Sequence, residues 1–473
     1  MNNMKNVALH NLGCKVNSYE IDVMQQSLQE KGYQIVPFDS KADIYIVNTC
    51  TVTNIADRKS RQMLHRAKAM NPDAVVVAVG CYVQTGGEAA LKDESIDLAI
   101  GNNRKKDLIA ILEEYLQEKE TRVDEPEHKT LHNKTVIDIN GSCDYEEMTL
   151  KQTAEHTRAY IKIQDGCNQF CSYCIIPYAR GRVRSRKAED IIREIKGIVA
   201  AGYQEVVLTG IHISSYGIDF DGDAWENGES VEVLKDEERR DYRGESKLID
   251  LIEQIQQIEG LKRIRLGSLE PRIVTEENAR RLADMDKVCP HFHLSLQSGC
   301  DETLKRMNRH YTTREYYESV KNLRCVFEHP AITTDVIVGF PGETDEEFEQ
   351  TCTFLEQVGF YEMHIFKYSK RQGTRAAVMK DQVPDKIKTS RSARLLALEK
   401  IQSKEFRSCY IGKEAEVLFE ETKELDGAHF WIGHTADYVK VALKTEENLS
   451  NCLKKVRITD FLTDEILNCN TLD

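Results

Sequence analysis

Residues 161–187 read IKIQDGCNQFCSYCIIPYARGRVRSRK. An alternating apolar run reaches Gly166. Cys167, Cys171 and Cys174 then fall within eight residues, and Arg180, Arg182, Arg184, Arg186 and Lys187 follow at once. In parallel α/β barrels the reactive groups sit at the carboxyl ends of the strands. A strand that runs straight into a thiol-rich loop therefore predicts the first βα unit of such a barrel. The spacing Cys-x3-Cys-x2-Cys offers three thiolates to one centre, and Cys143 and His156 precede the strand instead of joining the loop. Three ligands suit an iron–sulfur cluster with one open iron. Structural zinc, the competing assignment, normally wants four.

Downstream, five further strand-like runs follow AYIKIQDGC: EVVLTGIHI, RIRLGSLEP, FHLSLQSGC, AITTDVIVGFPG and EMHIFKYSKRQG. Helical segments such as Ala188–Ala200, Leu248–Ile258 and Asp345–Glu356 separate them. Six βα units with right-handed crossovers make an incomplete parallel barrel, open along one side. After the second strand, residues 217–246 carry eleven Asp/Glu against four Lys/Arg and read as a solvated excursion at the barrel mouth.

Upstream, NVALHNLG, DIYIVNTC and AVVVAVGC alternate with helical patterns near Ile21–Gln29 and Arg58–Lys68, which predicts a parallel sheet of Rossmann-like βαβ units. Each strand ends at or just before a cysteine: Cys14, Cys50 or Cys81. Open parallel sheets bind ligands beyond the carboxyl ends of their strands, so these three are expected at one sheet edge. Any one alone would read as a small core residue.

The fold class is α/β, with residues 1–118 expected as the N-terminal sheet domain, 119–152 as a polar linker and 153–385 as the partial barrel. A connecting helix over 386–404 and a small antiparallel β-barrel over 405–473 follow, the latter predicted from short alternating strands without helices between them. Phe430, Trp431 and Tyr438 in that barrel are candidates for stacking on RNA, or ordinary strand-pair residues.

A length of 473 residues fits several domains. No window approaches the ~18 apolar residues of a membrane span, so a cytoplasmic protein is expected. There, the fourteen cysteines suit metal binding better than disulfides. The net charge of −14 argues against coating nucleic acid through overall charge, while leaving room for a local basic patch.

The loop Cys167, Cys171, Tyr173, Cys174 resembles that of radical S-adenosylmethionine (SAM) enzymes, in which the amino acid part of SAM chelates the open iron. Together with the N-terminal cysteine trio, LSLQSG, GFPGET and YSKRQGT, the chain resembles the radical SAM methylthiotransferases along nearly its whole length. LGCKVNSYE and CIIPYARGRVRSR resemble the branch acting on tRNA with N6-threonylcarbamoyladenosine at position 37. The resemblance implies two [4Fe-4S] clusters, one on Cys167, Cys171 and Cys174 and an auxiliary one on Cys14, Cys50 and Cys81. It also implies a C-terminal TRAM domain, two uses of SAM (methyl donor and radical source), and an electron donor such as flavodoxin or ferredoxin. A monomer is expected. Tyr173, Gly210, Ser268, Glu270, Ser295, Gln297, Arg309 and Asp335 are the implied SAM contacts, although Gly210 lacks the usual Gly-Gly-Glu context. Arg180, Arg182, Arg184 and Arg186 are the implied tRNA contacts. His212 also lies at the mouth, with no chemical role assigned. Alternative substrates within the family are isopentenyladenosine in tRNA and an aspartate of ribosomal protein S12. The alternative of another class is a non-catalytic iron–sulfur RNA-binding regulator.

Overall fold

Strands covered on both faces read as unbroken apolar runs, and two such sheets follow one another along the chain. The computed structural model describes residues 5–121, 135–141, 144–152, 157–220, 246–425 and 427–472. Cys143, His156 and most of the acidic excursion (221–245) lie outside the described residues.

The first sheet holds β1 (Asn6–Asn11), β2 (Gln34–Val36), β3 (Ile44–Thr49), β4 (Val75–Gly80) and β5 (Leu98–Ile100) in the order β2-β1-β3-β4-β5. All pairings are parallel. Every residue of β3 and β4 is buried. The register sets Asn11 beside Asn48 and Thr49 beside Gly80, so β1, β3 and β4 end nearly level. Helices α1 (Lys15–Glu30), α2 (Asn54–Met70) and α3 (Cys81–Leu91) leave from that edge.

The barrel strands are Ala159–Lys162, Glu205–Thr209, Arg263–Leu266, His291–His293, Ala331–Val338 and Glu362–Lys367. They pair in parallel as two groups of three, bridged between Ile264 and Val288 and between Leu269 and Leu294. Among the described residues the first and sixth strands do not pair, which leaves the barrel open as expected. Helix α1 packs along the first strand, at that open edge.

A buried ionic cluster joins the two sheets. Glu20 of α1 receives Lys105 from its own unit, together with Lys162 (2.8 Å) and Arg180 (2.8 Å) from the barrel. Asp165 takes the same two barrel cations, at 2.7 and 3.1 Å. All five side chains are nearly inaccessible to solvent. Such a group gains little over an apolar packing of the same shape, yet removing one member strands charge in a low dielectric.

The polar segment before the barrel is not a free tether throughout. Met148 and Leu150 are buried in the main core, and Leu150 donates its amide to Glu194. Strands within Glu414–Thr471 close a five-stranded barrel, antiparallel except where Lys440–Leu443 runs parallel to Leu467–Thr471. The helix Asp385–Ser408 leads into it. Arg263 donates to the carbonyls of His434 (3.1 Å) and Glu416 (2.7 Å), and Arg265 to that of Ala436 (2.8 Å), docking the small barrel on the large one. The stacking candidates are used internally. Phe430 is in a core cluster, Trp431 packs against another, and Tyr438 lies between Arg158 and Arg265, 4.9 and 4.7 Å from their guanidinium carbons.

Glu20→Gln is expected to cost about 3–5 kcal/mol in unfolding measured by denaturant titration. The cations around Glu20 and Asp165 outweigh burial and hold both acids below the ordinary carboxylate range. Their contribution is therefore complete above about pH 5 and drains away only as pH falls through the depressed values.

Candidate active site

The loop after the first barrel strand is closed by its own backbone. Gln164 and Asp165 pair with Ser185 and Arg184 in a short antiparallel ladder, and the Cys167 amide donates to the Gly181 carbonyl at 3.0 Å. Gly166 has φ +72°, and a Cβ there would lie 1.8 Å from the Arg182 carbonyl oxygen. Only glycine lets the two arms approach so closely. On its far side the loop is held by the segment after LSLQSG. The Ser172 amide donates to Met307 O (2.9 Å), and Asn308 Nδ2 donates to the carbonyls of Gln169 and Phe170 (3.2 and 3.1 Å).

Cys167, Cys171 and Cys174 are free and partly buried. The Gln169 amide donates to Cys167 Sγ at 3.5 Å, and Arg309 Nη1 to Cys171 Sγ at 3.3 Å. Burial, and then Cys171 beside it, push Cys174 up to about 12; the same two influences raise Cys167. A bound cation removes that penalty by coordinating the thiolates.

In the N-terminal sheet, Cys14 caps α1, Cys50 directly follows β3, and Cys81 directly follows β4. Gly13, at φ +110°, would place a Cβ 3.0 Å from Cys50 Sγ, so the first two loops touch. Cys50 feels both Cys81 and Cys14; burial first, then these neighbours, push it up to about 11. The three therefore converge at one sheet edge. Cys14 is accessible to solvent, yet burial is the main cause that raises it. Both observations hold if it lines a recess. Lys15 next to it behaves alike: solvent reaches it, while burial, then Arg158 and Arg265, lower its ammonium to about 8.

The two trios share an interface. The helix Ile176–Arg180, which leaves Cys174, packs on α3, which begins at Cys81. Asn102 Nδ2 spans the joint, donating to Ala179 O (2.7 Å) and Cys81 Sγ (3.4 Å). Arg180 reaches across to Asn17 Oδ1 at 2.7 Å. On the other side Arg371, from YSKRQGT, bonds Thr51 and Asp57 just beyond Cys50.

Residues 161–355 match the Radical SAM superfamily, and residues 6–101 match the family described as Uncharacterized protein family UPF0004. The chain is 39% identical over 456 residues to threonylcarbamoyladenosine tRNA methylthiotransferase MtaB of Bacillus subtilis (strain 168), covering 96% of this chain and 94% of that one. The chain belongs to the radical SAM methylthiotransferase family. A tRNA-2-methylthio-N(6)-dimethylallyladenosine synthase of Moorella thermoacetica (strain ATCC 39073 / JCM 9320) is 34% identical, over 94% of each chain. The radical S-adenosylmethionine methyltransferase TsrM from Kitasatospora setae shares the fold at TM-score 0.55 and 14% identity, over 79% of this chain and 75% of that one. Membership brings SAM and [4Fe-4S] clusters as cofactors, and two convergent trios of free thiols are a donor set that fits such clusters.

The expected SAM contacts fall into distinct surroundings in this methylthiotransferase. Arg309 is at the cysteine loop; besides Cys171 it meets Tyr311 Oη (3.0 Å) and the Ser295 carbonyl (3.4 Å). Glu270 is buried, accepts from Gln169 Nε2 at 3.3 Å and pairs with Arg272. His212 Nε2 faces Glu270 Oε2 at 3.6 Å, and burial lowers His212 to about 4, leaving a neutral ring at pH 7. A Cβ at Gly210 would lie 2.9 Å from Gln164 Oε1, so this backbone must pass close to the loop. Tyr173 packs edge-on against Phe340 of GFPGET. In that turn the Glu343 carboxylate takes the amides of Gly339 (2.8 Å) and Phe340 (3.1 Å). Gln297 is buried in a left-handed conformation (φ 72°), and Ser268 is exposed. Asp335 joins His293 at 3.4 Å, and their ligand atoms lie within 4.8 Å of those of His364.

The arginine run requires a correction. Arg180, Arg184 and Arg186 are each 1% exposed and cannot reach a phosphate. Arg180 serves Glu20 and Asp165; Arg184 donates to Arg180 O (2.9 Å); Arg186 is held by Glu147 and Glu194. Arg182 alone is partly exposed, its guanidinium 4.5 Å from the Phe170 ring. The remaining cysteines are mixed: Cys289, Cys300, Cys352 and Cys469 are buried, whereas Cys325 and Cys409 are exposed.

Gly166→Ala is expected to open the loop and destabilise the fold by more than about 1 kcal/mol. Alkylation of Cys167, Cys171 and Cys174 by a thiol reagent, followed by peptide mass spectrometry, should quicken relative to the unsubstituted protein.

Proposed function

We propose that this protein converts N6-threonylcarbamoyladenosine at position 37 of tRNA to its 2-methylthio derivative. One observation carries the reading: near-full-length similarity to threonylcarbamoyladenosine tRNA methylthiotransferases in a chain whose two cysteine trios meet at one interface. Cys167, Cys171 and Cys174 would hold the SAM-binding cluster, and Cys14, Cys50 and Cys81 the auxiliary one. When bound, these groups supply radical hydrogen abstraction, a methyl group and sulfur, chemistry that an unactivated adenine C2–H requires.

The chain's own part is positioning. Arg309 places a permanent positive charge beside Cys171, where it suits the SAM carboxylate as a guanidinium fork. Glu270, which Arg272 holds ionised against the effect of burial, offers an acceptor for hydroxyl or amino groups in the same recess. Tyr173 and Phe340 form an apolar wall next to Cys174. Arg182 is the remaining member of the arginine run that can meet RNA. A flavodoxin or ferredoxin is the proposed reductant, and a monomer the proposed state.

Nucleoside mass spectrometry of tRNA from a deletion strain tests the substrate. The 2-methylthio form of threonylcarbamoyladenosine should vanish, with other methylthio nucleosides unchanged; loss from the dimethylallyl nucleoside instead would favour the branch of the Moorella relative. Anaerobic reconstitution should load about eight irons per chain, falling to about four when Cys14, Cys50 and Cys81 are replaced by Ala.

A further inference from the structure

His293, Asp335 and His364 come from the fourth, fifth and sixth barrel strands, and the register lines them up. His293 is level with Thr333, and Asp335 is level with His364. Residues two apart share a face of a strand, so the three side chains stand next to one another on one face. The opposite face carries Phe292, Leu294, Ile332 and Met363, which belong to the main core. Helices cover the outer face of such a barrel, and the triad therefore faces the interior. Ser295, two residues beyond His293, gives its carbonyl to Arg309, whose guanidinium also meets Cys171. Two residues of strand span about 7 Å, so the triad sits that much deeper in the barrel than the Arg309 contact.

The three have few other partners. His293 Nδ1 lies 3.0 Å from Thr333 Oγ1, and its Nε2 lies 3.4 Å from Asp335 Oδ2. The His293 and His364 rings are stacked, with centroids 5.9 Å apart. One ligand atom from each of the three lies within 4.8 Å of the other two. Among the described residues no lysine or arginine pairs with Asp335, and His364 is exposed. When Nδ1–H donates to Thr333, His293 turns its Nε2 lone pair on a carboxylate oxygen, and two acceptors so placed need a cation between them. Metal bonds of about 2.0–2.2 Å at a near-tetrahedral angle put two ligand atoms about 3.4 Å apart, the spacing of this pair. A hydroxyl on the other ring nitrogen is the outer partner that fixes a metal-bound imidazole.

We propose that His293, Asp335 and His364 bind one divalent first-row metal ion, such as manganese or iron, separate from both cysteine trios. Two imidazoles and one carboxylate form a donor set for such ions. Three protein ligands leave further positions open, as in catalytic sites and unlike closed structural ones. Water, or an oxygen atom of a molecule in the barrel, completes the shell. In this assignment Asp335 serves the ion and not SAM.

The probe is manganese(II), for which thiolates compete least. It is titrated into reconstituted holoenzyme with oxidised clusters, without SAM or tRNA, and followed by electron paramagnetic resonance. One ion per chain should leave the free-ion signal, and pulsed spectra should show nitrogen coupling from two imidazoles. His364→Ala should leave a single imidazole coupling and weaken binding at least about 10-fold, since even the outer partner of a ligand carries that much. Asp335→Asn should weaken it comparably with both couplings kept. His364→Glu, which restores an oxygen ligand, should recover most of the affinity with one imidazole coupling, a rescue that a packing role would not produce. Absence of imidazole coupling in the unsubstituted protein, or unchanged binding in His364→Ala, overturns the proposal. So does an equal loss in His65→Ala, which alters a histidine of α2 in the other unit. Iron content and melting temperature confirm that each variant is loaded and folded.

Discussion

The architecture turns on one carboxylate. Glu20 sits where the first helix of the N-terminal sheet crosses the first strand of the barrel, and three cations from two units point at it. Neither unit can satisfy this group alone: Lys105 comes from one side, Lys162 and Arg180 from the other. Separation would break the contacts of Glu20 with Lys162 and Arg180 together, so the cluster fixes orientation as well as contact. Arg180 carries that constraint to the chemistry, for it ends the helix that leaves Cys174 and bonds Asn17, three residues after Cys14.

Two further ties hold the same joint. Asn102 binds one carbonyl of the barrel loop and one thiol of the sheet, and Arg371 grips the residues that follow Cys50. Around the cysteine loop, hydrogen bonds come from both directions: the returning Gly181–Ser185 arm and the Met307–Asn308 turn. A site assembled from separate pieces thus gains the rigidity that positioning of a reactive group demands.

Much of this was legible in the sequence. Strand-to-cysteine adjacency located both trios, because a parallel sheet delivers every strand end to one edge. The open barrel followed from six alternating units. The arginine run was assigned to tRNA because it follows the cysteine loop at once, while the acid that most constrains it lies far off in the chain: Glu20 is 160 residues from Arg180. Local pattern says nothing about such pairs. The same limit hid Arg371 and Asn102, whose meaning comes from neighbours that only the fold supplies. Tyr438 was legible as an aromatic in a small barrel, but two arginines from the larger one claim its ring.

The docking of the C-terminal barrel carries an evolutionary consequence. Arg263 and Arg265 hold it chiefly through peptide oxygens of His434, Ala436 and Glu416. Peptide oxygens belong to every amino acid alike, so side chains in that stretch are free to diversify without loosening the attachment. A one-residue insertion or deletion there would shift every acceptor out of register. That small domain should therefore vary in spelling among relatives while keeping its length at this seam.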